Sequence, residues 1–183
     1  MTAKGTPAAP EETPFWQFSG SVYARRGVAE ACLALQERHR LDVNLLLFCA
    51  WAGCNGRRLD GGDLGLLRSV ARPWQDNVVA PLRAARRWLK QQAAVPEDLG
   101  EAFREEVKAL ELQAEMLEQL MLYQELTVAA GQGAPEDVAA NLRLYLTRFK
   151  PLPNDDDLAS LAAVLCGACP EVTPVHAIRM LED

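Results

Sequence analysis

A chain of 183 residues with 49% hydrophobic and 24% charged side chains has the make-up of a single globular domain, which excludes wholesale disorder. Aromatics at 7%, with few β-branched residues, argue against a sheet-rich fold. The 25 acidic side chains outnumber the 19 basic ones, and the formal charge of −6 argues against a global nucleic-acid footprint.

Residues 1–13 read as a flexible tail, small, polar and Pro-containing, with no secretory pattern, so a cytoplasmic protein is expected. Thr13-Pro14 opens the first helix, with Thr as cap and Pro at the first turn, where its missing N–H is harmless. That helix reaches about Tyr23, pauses near Gly27 and resumes from Val28 to His39. Asp42 caps the next, Val43 to Ala52, which Gly53 and the Asn55-Gly56 turn are expected to end. Its apolar run from Leu45 to Gly53 is about half of what a membrane span needs.

Asp60 and Asp63 precede a helix from Leu64 to Ala71, and Pro73 is expected to restart the chain into Trp74–Gln92. Pro81 lies inside that helix and cannot donate to Asn77, which predicts a kink. The longest segment runs from Glu97 to about Ala130. In it Phe103, Val107, Leu110, Ala114, Leu117 and Met121 recur at three- and four-residue intervals and are expected to face the core. Three shorter helices follow, begun by Pro135, by Asn154 with Asp155–Asp157, and by Thr173-Pro174. The whole reads as an all-α, compact multi-helix bundle of about seven to eight helices around one long central helix. Gly131 to Ala134 divides a core at 14–130 from a C-terminal helical extension at 131–183 that packs back on it.

Charge is segregated along the chain. Residues 57–90 carry eight basic and three acidic side chains, and residues 97–125 carry nine acidic and two basic. Two such neighbours are expected to pair antiparallel. Arg83, Arg86, Arg87 and Lys90 share one helix face by their spacing, a stripe that could hold an acidic or phosphate-bearing partner.

Chemistry-bearing patterns are sparse. The phosphate-binding and dinucleotide glycine loops, the zinc-protease helix and the serine elbow are absent. Neither cofactor nor metal is therefore expected. Cys166 and Cys169, with His176 nearby, have spacing suited to a metal or a redox dithiol. They lack a second cysteine pair and read better as ordinary helix-end thiols. Glu111, Glu115 and Glu118 have chelating spacing on one helix, but no acidic helix is available to face them. Asn44 is an amide inside a nearly apolar helix and must find partners or line a pocket; Trp16, Gln36, Asp42 and Trp51 are its expected neighbours there, with Arg83 or Arg87 offering positive charge to an anionic ligand.

Three blocks also carry a resemblance. Phe15-Trp-x-Phe-Ser19, Tyr23, Gly27-Val28 and Ala31-Cys-Leu-x-Leu-Gln36 lead to Asp42-Val-Asn-Leu-Leu-Leu-Phe48 and Trp51. Trp74, Val78-Val79, Pro81-Leu-Arg83 and Arg86-Arg87-x-Leu-Lys90 form the second block, and Glu111-Leu-x-Ala-Glu115 the third. Over roughly residues 14–125 the chain resembles a proteobacterial family catalogued as domain of unknown function 2390. The resemblance implies a small bacterial cytoplasmic protein and attaches no activity to it. The expected function is that of a non-catalytic helical interaction or adaptor protein with a protein partner, docking through Arg83, Arg87 and Lys90. The alternative is an anionic-ligand pocket near Asn44.

Overall fold

The structure is a computed structural model and describes residues 9–92 and 95–182. Most of the expected tail, residues 1–8, lies outside the described residues, as do 93–94 in the expected loop between the two oppositely charged segments. Residues Pro10–Glu12 form a 3₁₀ turn packed on the first and the longest helix.

Helices α1 (Pro14–Tyr23), α2 (Val28–His39), α3 (Val43–Cys54), α4 (Gly61–Trp74) and α5 (Ala80–Leu89) lead to the long α6 (Glu97–Glu125). Helices α7 (Pro135–Thr147), α8 (Asp155–Ala168) and α9 (Pro174–Glu182) complete the described chain, which contains no strand. A π-helical segment, Gln75–Val79, joins α4 to α5. With that bent rod counted once, the described residues form eight helices, an all-α bundle.

The helix starts follow local chemistry. The Thr13 side chain accepts from the Trp16 N–H, and Asp42 accepts from the N–H groups of Asn44 and Leu45. Asp60 with Asp63, and Asn154 with Asp157, each form a reciprocal capping box.

Helix α4 begins at Gly61 rather than Leu64 and α5 ends at Leu89 rather than Gln92, and three further boundaries differ from the sequence expectation. Pro73 does not restart a helix, because α4 continues through it to Trp74. The disturbance falls instead on the π segment, where the Ala80 N–H donates to the Gln75 carbonyl five residues back, directly ahead of Pro81. Gly53 does not end α3. It lies inside that helix and lets α7 approach, since a Cβ there would stand 2.5 Å from Val138 Cα and 2.6 Å from its nitrogen. The long helix stops at Glu125 rather than Ala130, and Leu126 turns to extended backbone.

α3 is the central helix of the core, with Leu45 to Ala52 buried and α7 as its most extensive neighbour. Phe15, Phe48 and Trp51 stack in mutual contact, with ring centroids 5.1 to 5.4 Å apart, and Tyr123 of α6 closes on Trp51 at 5.6 Å. Asp157 ties α8 to α2. Its carboxylate is 2.7 Å from His39 Nε2 and accepts from Arg38 Nε at 3.0 Å.

The stripe expected to bury α6 is the main correction. Val107 and Ala114 are buried, but their companions on the inner face are Glu111, Glu118, Gln119 and Leu122. Leu99, Phe103, Leu110 and Leu117 stay 62%, 54%, 52% and 40% exposed. The polar side chains turn inward because partners wait for them there.

Candidate functional site

Those partners form a connected hydrogen-bond chain at the junction of α1, α3 and α6. The Ser19 hydroxyl donates to Gln119 Oε1 at 2.6 Å, and Gln119 Nε2 donates to Asn44 Oδ1 at 2.8 Å. Asn44 Nδ2 in turn donates to Glu118 Oε2 at 2.9 Å. Each member is buried, and Glu118 completely so. Glu118 Oε1 has no hydrogen-bond partner among the described residues. Burial first, and then the neighbouring Asp42 carboxylate, push Glu118 up to about 10, so it is a neutral acid at neutral pH.

Beside this chain lies a charged cluster. Arg83 Nε donates to Glu111 Oε1 at 2.9 Å and its NH2 to Glu115 Oε1 at 2.5 Å, while Arg86 Nε donates to Glu111 Oε2 at 2.5 Å. Burial alone would raise Glu111, yet the two guanidinium groups hold it below the usual carboxylate range. At Glu115 burial wins over Arg83, and its carboxyl is raised. The two oppositely charged segments thus meet as α5 on α6.

Ser19, Asn44 and Gln119 of the chain and Arg83 and Glu115 of the cluster line an open cleft of about 180 Å³ between α1, α2, α3, α5 and α6. Trp16, Tyr23, Leu33 and Leu112 provide its apolar walls, with Asn44, Gln119, Glu115 and Arg83 supplying polar groups.

Of the residues singled out in the sequence, Trp16, Gln36, Asn44 and Arg83 come together on this cleft. Asp42 does not line it: its carboxylate caps α3 and its backbone N–H donates to the Tyr145 hydroxyl at 3.1 Å. Trp51 is buried in the aromatic core. Arg87 is exposed, 3.8 Å from Glu37, and Lys90 is exposed at the end of α5. The expected basic stripe is therefore divided, since Arg83 and Arg86 are spent on α6 and only the outer pair faces solvent.

The chain matches, over residues 14–122, the family described as protein of unknown function (DUF2390). It belongs to that family. No curated protein and no solved structure matches it. The DUF2390 span includes every residue that lines the cleft and ends before α7, whose packing on α3 completes the core.

Sequence reasoning did not assign Ser19, Tyr23, Glu115, Glu118 or Gln119 to this site. The available signal was Glu111, Glu115 and Glu118 at one-turn spacing, which read as a chelate lacking its opposite helix. The facing elements supply an amide and two arginines instead. An amide is no base at neutral pH, so the Ser19–Gln119 bond positions the two groups without activating the hydroxyl. Among the described residues no group of three or more His, Cys, Asp or Glu side chains is placed to hold a metal.

The Cys169 thiol meets Cys54 at the end of α3, a residue far from it in sequence. A hydrogen bond from Cys169 lowers Cys54 from the usual thiol range, and the same contact raises Cys169. His176 opens onto a separate groove with Arg58, Arg143 and Arg179.

Proposed function

We propose that the protein is a non-catalytic helical interaction protein of the bacterial cytoplasm, docking a partner through the arm formed by α5 and the first half of α6 together with the exposed side of α6 as far as Leu117. The observation that carries this reading is the exposed apolar ridge Leu99, Phe103, Leu110 and Leu117. Four large apolar side chains aligned on one helix face, at four- and seven-residue spacing and interrupted by Glu106 and Gln113, suit an amphipathic helix laid alongside. Helix α5 buries no residue fully and leaves Trp88 exposed as well. Glu97, Asp98, Glu101, Glu105 and Glu106 are exposed near the ridge, against Lys108 as the exposed base there, so the partner helix best suited to it carries basic flanks. On α5, by contrast, an acidic partner has Arg87 and Lys90 to meet, since Arg83 and Arg86 are held by α6. A cytoplasmic setting is supported by five free thiols, and no helix among the described residues is long and apolar enough to cross a membrane.

The test is site-specific photo-crosslinking in cells from position 110, with position 136 as the control. The expected result is an adduct that forms only from 110 and disappears in the Phe103→Glu, Leu117→Glu double variant, whose unfolding midpoint stays unchanged. An adduct that survives this double substitution removes the ridge as the docking surface.

A further inference from the structure

The five free thiols are not equivalent. Cys32 and Cys49 are fully buried in the core, and burial pushes both up from the usual thiol range. Cys54, Cys166 and Cys169 gather instead where the ends of α3 and α8 meet. Cys54 is the last residue of α3, and its Sγ lies 3.9 Å from the Ala168 carbonyl oxygen, one residue before Cys169. Cys169 caps the end of α8 and donates a hydrogen bond to Cys54. Both backbones are pinned. The Cys54 carbonyl accepts from the Gly133 N–H at 2.8 Å, and the Cys169 N–H donates to the Leu165 carbonyl at 2.8 Å.

The contact is unequal. Cys169 donates and Cys54 accepts, so the shared proton stays with Cys169 while Cys54 is lowered and becomes the better nucleophile of the two. Burial and Glu171 act against this lowering, and Arg25 acts with it, its guanidinium donating to the Gly167 carbonyl at 2.5 Å beside the pair. Cys54 is half-buried, whereas Cys169 is only 6% exposed, so a small oxidant reaches the first sulfur before the second. Cys166, three residues earlier on α8, influences Cys169 less than Cys54 does. A lowered, reachable thiol poised against a second thiol is the arrangement of redox-sensing cysteines, and transient disulfides of this kind are the ones a reducing compartment tolerates.

We propose that Cys54 and Cys169 form a redox modification site that takes a hydroperoxide as oxidant and closes into a reversible disulfide. The Cys54 sulfur attacks the terminal peroxide oxygen. An S–O bond forms and the O–O bond breaks, and the departing oxygen takes up the Cys54 proton and leaves as water or an alcohol. The Cys169 sulfur then attacks the Cys54 sulfenic acid. The S–S bond forms, the S–O bond breaks, and the hydroxyl leaves as water with the Cys169 proton. The two sulfurs together lose two electrons and the peroxide gains them; a dithiol reverses the change by exchange. The disulfide would tie the end of α3 to the end of α8, and the site stands apart from both the cleft and the docking arm.

The experiment gives the fully reduced chain one equivalent of hydrogen peroxide and maps the product by peptide mass spectrometry. The expected result is a loss of ~2 Da, with Cys54 joined to Cys169 in the same chain and the bond reopened by dithiothreitol. In Cys169→Ser the reaction stops at a sulfenic acid on Cys54, which dimedone captures roughly tenfold faster there than at any other thiol. Cys54→Ser leaves Cys169 reduced, and Cys166→Ser keeps the link. The mapping itself uses the parent chain, so it stands even where a variant folds poorly. A link between Cys166 and Cys169, a link between two chains, or dimedone on a thiol other than Cys54 would each overturn the assignment. So would a chain still reduced when free N-acetylcysteine in a parallel solution has been oxidised.

Discussion

The two halves of α6 are built from similar residues and both leave leucines exposed, but they differ in what they send inward. From Glu111 to Leu122 the helix sends glutamates and a glutamine into the protein, where Arg83, Arg86, Asn44 and Ser19 meet them. From Leu99 to Leu110 it leaves leucines and a phenylalanine in water while its charged groups pair locally, as Arg104 does with Glu101 and Glu105. Which face of a helix is buried thus depends on what its neighbours offer, and apolar spacing alone does not decide it.

The sharpest way to test the contrast between body and arm is to overfill the body. Gly53→Val forces a side chain into the Val138 backbone and is expected to cost about 3 kcal/mol or more, read by urea unfolding. If the loss stays under about 1 kcal/mol, α3 and α7 are not packed as described.

Glu118 gives a subtler effect with a definite sign. Its folded pKa of about 10 lies above its ordinary value of 4.5, so the folded state holds a proton that the unfolded state has released. Its contribution to stability is therefore intact at low pH and is lost progressively as pH rises from 4.5 toward about 10. Glu118→Gln keeps the amide contact to Asn44 and removes this dependence. The variant is expected to gain on the parent steadily between pH 6 and pH 9, by thermal melting across a pH series. Parallel curves would show that Glu118 is ionised in the folded protein.

The arm should give the smallest response. Phe103→Ser and Trp88→Ser are each expected to shift stability by no more than about 0.5 kcal/mol, since neither side chain is buried. Amide exchange over α5 and residues 97–106 should also run ahead of that in α3. Exchange in the arm as slow as in α3 would mean that the arm is an integral part of the core.

How much of this was legible in the sequence depended on range. Thr13, Asp42, Asp60 and Asn154 announced their helices because a cap is a bond between residues two or three apart. Asn44 was legible as an amide in need of partners, but its partners on α6 were not, because Glu118 lies 74 positions away. Cys169 had a nearer candidate in Cys166, and only the packing of α8 against α3 brings Cys54 to it. Gly53 looked like a terminator because the backbone it makes room for belongs to a helix more than 80 residues later.

The π segment ahead of Pro81 has a consequence in angle. An α-helix advances 100° per residue, so one extra residue in a turn rotates everything after it by about that amount. The side chains of α5 are thereby set a quarter-turn and more from where an unbroken continuation of α4 would aim them. Arg83 and Arg86 meet Glu111 and Glu115 in this rotated phase. Deleting one residue between Gln75 and Val79 would restore the simple helix, and it would carry that guanidinium pair around the axis and away from its carboxylates.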